Sequence, residues 1–452
     1  MKKLLFLLAL PFCAQSQNTD SAFIKKISNE VLANGQAHTY LKQLTKGVGG
    51  RLAGSPQMVK AEQWGLQTFK NIGADKNWLQ ECLVPHWVRG KNDKVTISIN
   101  GSTKTLDAAA LGNSMGSQKT ITASLLLVAN FDELEKRKDE VNGKIVYYNA
   151  GFNPTNVQPF SSYGQSGGYR RGGASRAAKY GALGIMIRSL TEATDNNPHT
   201  GTMSYNDSFP KIPAVALGLQ DADYVWQQRN DTNAKISLLT HGVMLPDTIG
   251  HNVIAELTGS EFPNEYITIG GHLDSWDLAE GAHDDGAGIV QTIEILRTFK
   301  ALGYKPKRTI RFVLFANEEN GLRGGTKYAE EAKAKNENHI FALESDAGGF
   351  TPRGFGFTTN NDEQFSKVKA WAKLLKPYGI DDFNKGGGGA DIGPLKNGNP
   401  NIIMAGLQPD GQRYFDYHHA RNDIFENVNK RELLLGALNM AALVYLVDKY
   451  GL

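Results

Sequence analysis

Apolar, β-branched runs recur through the second half of this chain, over residues 253–257, 266–270, 310–315, 340–343 and 402–405. Short runs of that kind are what strands buried on both faces look like. A helical pattern over 286–302 separates the second run from the third, and another closes the chain over 430–450. Strands alternating with helices predict an α/β fold, with a mostly parallel central sheet flanked by helices on both faces. Ligands in such folds gather beyond the carboxyl ends of the strands. Three charged clusters start directly after an apolar run here, and a fourth precedes the last helix.

The first cluster is Gly270-Gly271-His272-Leu273-Asp274-Ser275-Trp276-Asp277, running on to Gly281-Ala282-His283-Asp284-Asp285-Gly286. In an extended segment His272 and Asp274 point the same way. Both can meet a metal, or Asp274 can hold the imidazole of His272 from behind. Asp284 and Asp285 sit at a helix start, where a carboxylate suits a position bridging two cations. The second cluster is Asn317-Glu318-Glu319-Asn320-Gly321. Adjacent carboxylates at the end of a buried strand are electrostatically awkward without a cation. One can bind metal while the other acts as general base on a water. The third cluster, Glu344-Ser345-Asp346-Ala347-Gly348-Gly349, again follows an apolar run. The fourth is Tyr417-His418-His419-Ala420-Arg421-Asn422-Asp423, and between these two lies a glycine loop ending at Asp391. That loop can approach a substrate backbone.

Taken singly, each cluster has an ordinary reading: a surface hydrogen bond, a solvated Glu pair, a histidine turn, an aspartate turn cap. Their joint occurrence in an α/β frame points to a metal site. Histidine and carboxylate ligands without cysteine suit zinc, with manganese or cobalt as substitutes.

The remaining chain frames that centre. Residues 1–16 read as an export leader: Lys2 and Lys3, an apolar stretch over 4–12, then Ala14-Gln15-Ser16 as cleavage site. The expected location is secreted or periplasmic. Lipid anchoring at Cys13 is disfavoured by the bulky Phe12 before it. Cys82 is then the lone cysteine, so the exported protein is stable without an intrachain disulfide. The leader is too short to span a bilayer, and no later segment reads as a long uncharged apolar run. A net charge of +3 without a basic stripe excludes a nucleic-acid partner.

Three helices are expected early: one capped around Thr19-Asp20-Ser21, one over 38–44, and one with Ser55 as N-cap, Pro56 first and Gly73 beyond its end. Strands follow over 78–88 and 95–99. Residues 106–243 shift to short strands (124–127, 144–148, 212–216), one helix over 173–180 and polar loops such as 161–172 and 191–207. No metal or nucleophile constellation stands out there, and the stretch reads as an inserted lid or substrate-shaping domain. The expected division is 17–105 and 247–452 for the catalytic domain and 106–246 for the insertion.

Together these segments resemble the M28 family of di-zinc peptidases, over nearly the whole chain after the leader. The match Gly-Gly-His-Leu-Asp-Ser-Trp-Asp with Gly-Ala-x-Asp-Asp is its most specific part, and Arg51-Leu52-Ala53-Gly54-Ser55-Pro56 belongs to it too. The resemblance implies a zinc-peptidase fold carrying an insertion similar to the protease-associated type. It implies two zinc ions: one on His272 and Asp346, one on Glu319 and His419, with Asp284 bridging. Glu318 would be the general base and Asp274 would orient His272. His419 is preferred to His418 because the family places an acidic residue four positions after this ligand, as Asp423 is here. The donor that the family places directly before the ligand is here His418, with Tyr417 one step earlier. A cis peptide after the bridging aspartate is also implied, at Asp284–Asp285. The implied activity is exopeptidase cleavage of dipeptides or short peptides, of carboxypeptidase/dipeptidase type, in a homodimer. An aminopeptidase and a non-catalytic receptor of the same fold are the alternatives. A carboxypeptidase needs a cation for the substrate carboxylate, and Arg323, Lys385, Arg413 and Arg421 lie near the motifs.

Overall fold

The computed structural model describes residues 10–452, so the leader expected over residues 1–16 falls largely outside it. Strands are numbered in chain order: β1 (Lys76–Val88), β2 (Lys94–Ile99), β3 (Ser102–Leu106), β4 (Ala108–Ala110), β5 (Ile121–Val128), β6 (Ile145–Tyr148), β7 (Gly184–Arg188), β8 (Ala214–Leu217), β9 (Lys235–Leu239), β10 (Val243–Leu257), β11 (Phe262–His272), β12 (Arg308–Phe315), β13 (Asn338–Glu344), β14 (Pro352–Thr358), β15 (Asp382–Lys385) and β16 (Ile403–Pro409). They form two eight-stranded sheets. The first runs β1-β10-β12-β11-β13-β16-β14-β15, the second β3-β2-β9-β5-β6-β7-β8-β4.

The first sheet is parallel at its centre, where β12, β11, β13 and β16 lie side by side. Antiparallel pairs sit on either side, β1 with β10 and β10 with β12, and β14 with β16. The expected parallel sheet is thus its central part. Side chains alternate across it with period two. Ile310, Phe312 and Leu314 face one layer of helices, which includes Ala287–Ala301 and Lys430–Tyr450. Val313 and Phe315 face the other, with Tyr328, Ala329 and Ala332 from the helix Arg323–Ala334.

The whole second sheet lies between β1 and β10 in the chain. It begins earlier than expected: β2 and β3, assigned from sequence to the first unit, pair into it. Its centre is again parallel, from β5 through β8. The stretch expected as a loop over 161–172 is instead part of a helix, Pro159–Ala178. Its many glycines and serines lower helix propensity. Packing overrides this, since Gly173 lies so close to the Tyr148 ring that a Cβ would come within 3.1 Å. Two more helices, Phe131–Lys136 and Leu219–Gln227, join the single one expected.

The helix Pro56–Ile72 has the expected boundaries: the Ser55 hydroxyl accepts from the Met58 amide, and Gly73 follows at φ +87°. Asp20 is not a cap. It lies inside the helix Leu10–Asn34, and its carboxylate accepts from the Tyr445 and Tyr450 hydroxyls at 2.9 and 2.6 Å. The terminal helix Lys430–Tyr450 is long and apolar enough to cross a membrane, contrary to the sequence expectation, but 83% of its most apolar stretch is buried in the protein. It is a core helix under the sheet.

Candidate metal centre

Parallel alignment of β12, β11 and β13 brings their carboxyl ends side by side. His272 is the last residue of β11, Glu318 and Glu319 follow β12, and Asp346 follows β13. Asp284 comes from the turn before the helix Ala287–Ala301, and its bond to Asp285 is cis. His419 comes from the segment after the short helix Tyr414–Tyr417.

The structure brings these side chains together around one carboxylate. His272 Nε2 is 3.2 Å from Asp284 Oδ1, and His419 Nε2 is 3.3 Å from Asp284 Oδ2. Each imidazole has a second carboxylate beside it: Asp346 Oδ1 at 3.5 Å from His272 Nε2, and Glu319 Oε2 at 3.1 Å from His419 Nε2. His418 stacks on the His419 ring at 3.5 Å, and its Nε2 is 3.8 Å from Asp284. The far nitrogens of both paired rings meet carbonyls. His272 Nδ1 donates to Asp274 O (3.0 Å) and His419 Nδ1 to Thr200 O (3.2 Å). A neutral ring donating from Nδ1 aims its Nε2 lone pair at the carboxylates, as a metal ligand must.

The donor set fits divalent cations. Asp284 Oδ2 and Asp346 Oδ1 are buried without a hydrogen-bond partner. Burial pushes the Glu319 carboxyl up to about 7, helped by the Asp284 charge and opposed by His419. Burial likewise lifts Glu318 well above the usual carboxylate range. Burial also works against ionised Asp284, but the imidazoles of His272 and His419 outweigh it and hold this carboxyl well below its ordinary value. So many buried acids at one spot repel each other, and bound cations would relieve that.

Supporting contacts fix the loops. Asp274 holds His272 through its backbone carbonyl. Its carboxylate accepts instead from the Glu318 and Glu319 amides, at 3.0 and 3.3 Å, and so shapes the turn carrying both glutamates. Asp285 accepts from the His272 and Gly288 amides. Asp423 accepts from the His283 and Asp284 amides at 2.7 and 3.1 Å. Arg51 is fully buried and donates to the carbonyls of Leu273, Glu280 and Gly281. Burial pulls its guanidinium down to about 10, against the pull of Asp423 and other nearby carboxylates. The sequence showed no role for Thr200; Arg51 entered only as part of the family-like stretch, and Asp285 only beside Asp284 as a carboxylate at a helix start. Asp423 carried a signal only through its spacing from His419.

A cleft of about 700 Å³ opens beside Asp346. Phe160 from the second unit, Arg353, Asp382, Gly388 and Asp410 line it. The four cations expected from sequence are engaged elsewhere. Arg413 pairs with Glu432 at 3.0 Å, Arg421 with Asp107, and Lys385 with Asp362. Arg323 lines a separate groove with Leu83 and Ile249. Arg353, which the sequence reading passed over, is the cation in the cleft. Asp391 is no turn cap. It is fully buried, and neither carboxylate oxygen has a partner.

The model of Peptidase family M28 matches residues 252–444. Carboxypeptidase Q of Bos taurus is 35% identical over 421 residues, which is 92% of this chain and 85% of that protein. The crystal structure of a peptidase M28 precursor from Shewanella amazonensis SB2B has a TM-score of 0.91 at 32% identity, covering 96% of this chain and 98% of that one. BSAP, a zinc aminopeptidase from Bacillus subtilis, shares the fold at 18% identity, with a TM-score of 0.65 over 91% of this chain and 94% of that one.

Proposed function

This chain belongs to peptidase family M28 and is a metallo-exopeptidase, and from that premise we propose that it cleaves dipeptides or short peptides with two zinc ions, as a carboxypeptidase or dipeptidase. One observation carries this reading: two imidazoles face opposite oxygens of Asp284, and each has its own second carboxylate. His272 and Asp346 would hold one ion, Glu319 and His419 the other, and Asp284 both. When bound, the ions would supply Lewis-acid polarisation and a water of lowered pKa. Glu318 takes a proton from the attacking water and returns it to the leaving amine. The complete set of five ligands and a base argues against a non-catalytic receptor.

Arg353 in the cleft, exposed and only loosely paired with Asp410 at 3.8 Å, suits a substrate carboxylate, while Asp382 and Asp410 there suit a substrate ammonium, which keeps an aminopeptidase as the second reading. A peptidase assay with N-blocked and C-amidated substrates, with metal content measured on the same samples, tests both. Cleavage of N-blocked but not C-amidated peptides is expected of a carboxypeptidase, and cleavage of free dipeptides alone of a dipeptidase. The reverse pattern establishes the aminopeptidase, and metal-free activity overturns the proposal. Export through the leader at residues 1–16, a homodimeric state and a protease-associated character of the second unit belong to the same proposal.

A further inference from the structure

The two halves of the centre are held in different ways. Around His272 every supporting contact comes from the first sheet's unit: the Asp274 carbonyl on the ring and the Asp285 carboxylate on the amide. Around His419 the hydrogen bonds come from the second unit, mostly along one irregular segment, residues 191–201, with Arg170 Nη1 of the helix Pro159–Ala178 also 3.4 Å from the ring's Nδ1, while the Trp276 ring of the first unit packs against the imidazole edge-on at 5.8 Å. The Thr191 hydroxyl donates to Phe415 O (2.6 Å), and His199 Nδ1 donates to His418 O (2.7 Å). The Thr200 amide donates to His419 O (3.0 Å), and the Thr200 carbonyl accepts from His419 Nδ1 (3.2 Å). Asn422 Nδ2 reaches back to Asp195 Oδ2 at 3.3 Å. Thr191, His199, Thr200, Phe415, His418 and His419 are all buried.

This clasp meets a backbone that needs holding. His419 sits at φ +62°, a left-handed conformation that a non-glycine residue keeps only where its surroundings fix it. Gly201 closes the clasp at φ +129°, and a Cβ there would lie 2.6 Å from His419 Nδ1 and 2.4 Å from Arg170 Nη1. Space beside the ring is therefore matched to glycine. The clasp is tied in turn to its own unit, through the Thr200 hydroxyl on Ala110 O at 2.8 Å.

We propose that segment 191–201 is a ligand clamp, by which the second unit sets metal affinity at the Glu319–His419 position and leaves the His272–Asp346 position untouched. The proposal rests on the two-ion reading above. Residues that orient a ligand from behind typically change metal affinity by about 10- to 100-fold. Thr191, His199 and Gly201 act here as positioning residues.

The test is zinc binding, read by competition with a chromophoric chelator on the full-length protein. Wild type is expected to bind two ions per chain; fewer than two overturns the two-ion reading itself. His199→Ala and Gly201→Ala are expected to weaken one ion by about tenfold or more and leave the other unchanged. Thr191→Val, the mildest change of shape, should weaken the same ion to a smaller degree, and it carries the test if the others fail to fold. Combining His199→Ala with His419→Ala should add nothing to the loss from His419→Ala alone. Equal weakening of both ions, no weakening of either, or an additive loss in the double variant overturns the clamp.

Discussion

Asp284 offers one oxygen to each of two imidazoles, and this single carboxylate organises the site. The base stands apart from it. Glu318→Gln is expected to keep both metals and lower turnover at least about a hundredfold, the size of general-base effects. Near-normal turnover by the metal-loaded variant removes Glu318 from that role. Arg51 acts without touching the centre. Its loss would leave the carbonyls of Leu273 and Glu280, in the loop between His272 and Asp284, without this donor, while Gly281 O keeps the Gly286 amide. Each buried group left unsatisfied costs about 1–3 kcal/mol. Arg51→Ala should therefore lower stability by about 2 kcal/mol or more and weaken metal binding, as thermal unfolding and metal content would show. An unchanged melting temperature would mean that the loop holds itself. The histidines and carboxylates were legible in the sequence because their types are rare beside apolar runs. Arg51 and Thr200 were not, because they act through backbone carbonyls that every residue has.

At the level of elements, cap and period decided what could be read. The helix Pro56–Ile72 was fully specified by Ser55, Pro56 and Gly73. Ser55→Ala should cost about 1 kcal/mol, the usual worth of an N-cap hydroxyl, measured by denaturant unfolding. A cost near zero would mean that tertiary contacts alone fix this end. Of the helix Pro159–Ala178 only the end was expected, within a helix over 173–180, and the part before it was read as loop, although Pro159 at its first turn is the same signal as Pro56. Glycine and serine dominate its first half, and propensity pointed to a loop. Its contacts explain the helix: Phe160 stacks on Tyr414 at 5.4 Å, and Tyr163 meets His418 edge-on at 5.1 Å. Strands β14 and β15 were also missed. β14 begins at a proline and carries two glycines in Pro352-Arg353-Gly354-Phe355-Gly356, which gives no clean alternation.

Across the whole molecule, the buried acids couple metal to stability. Burial holds Glu319, Glu344 and Asp423 near 7, far above the roughly 4 of a free carboxyl. The metal-free folded state thus binds more protons than the unfolded chain between about pH 4 and 7. Raised groups of this kind contribute stability below their unfolded pKa and lose it as pH rises through the folded value. The chelator-treated protein should therefore melt lower at pH 7.5 than at pH 5.5. Zinc acts with the opposite sign, because its ligands must be deprotonated, and so it should raise the melting temperature more at pH 7.5. At a thousandfold excess over Kd each ion contributes about 4 kcal/mol. Equal melting of the metal-free protein at both pH values would contradict the burial of these charges. The sequence by itself determined the central sheet, its strand ends and the residue types gathered there, because hydrophobic period and charge are local properties. Only the tertiary structure decided that the second unit clasps His419, that Asp274 shapes the Glu318–Glu319 turn, and that Arg353 faces the cleft. Those contacts join residues far apart in the chain through backbone atoms and packing, which leave no mark on local sequence.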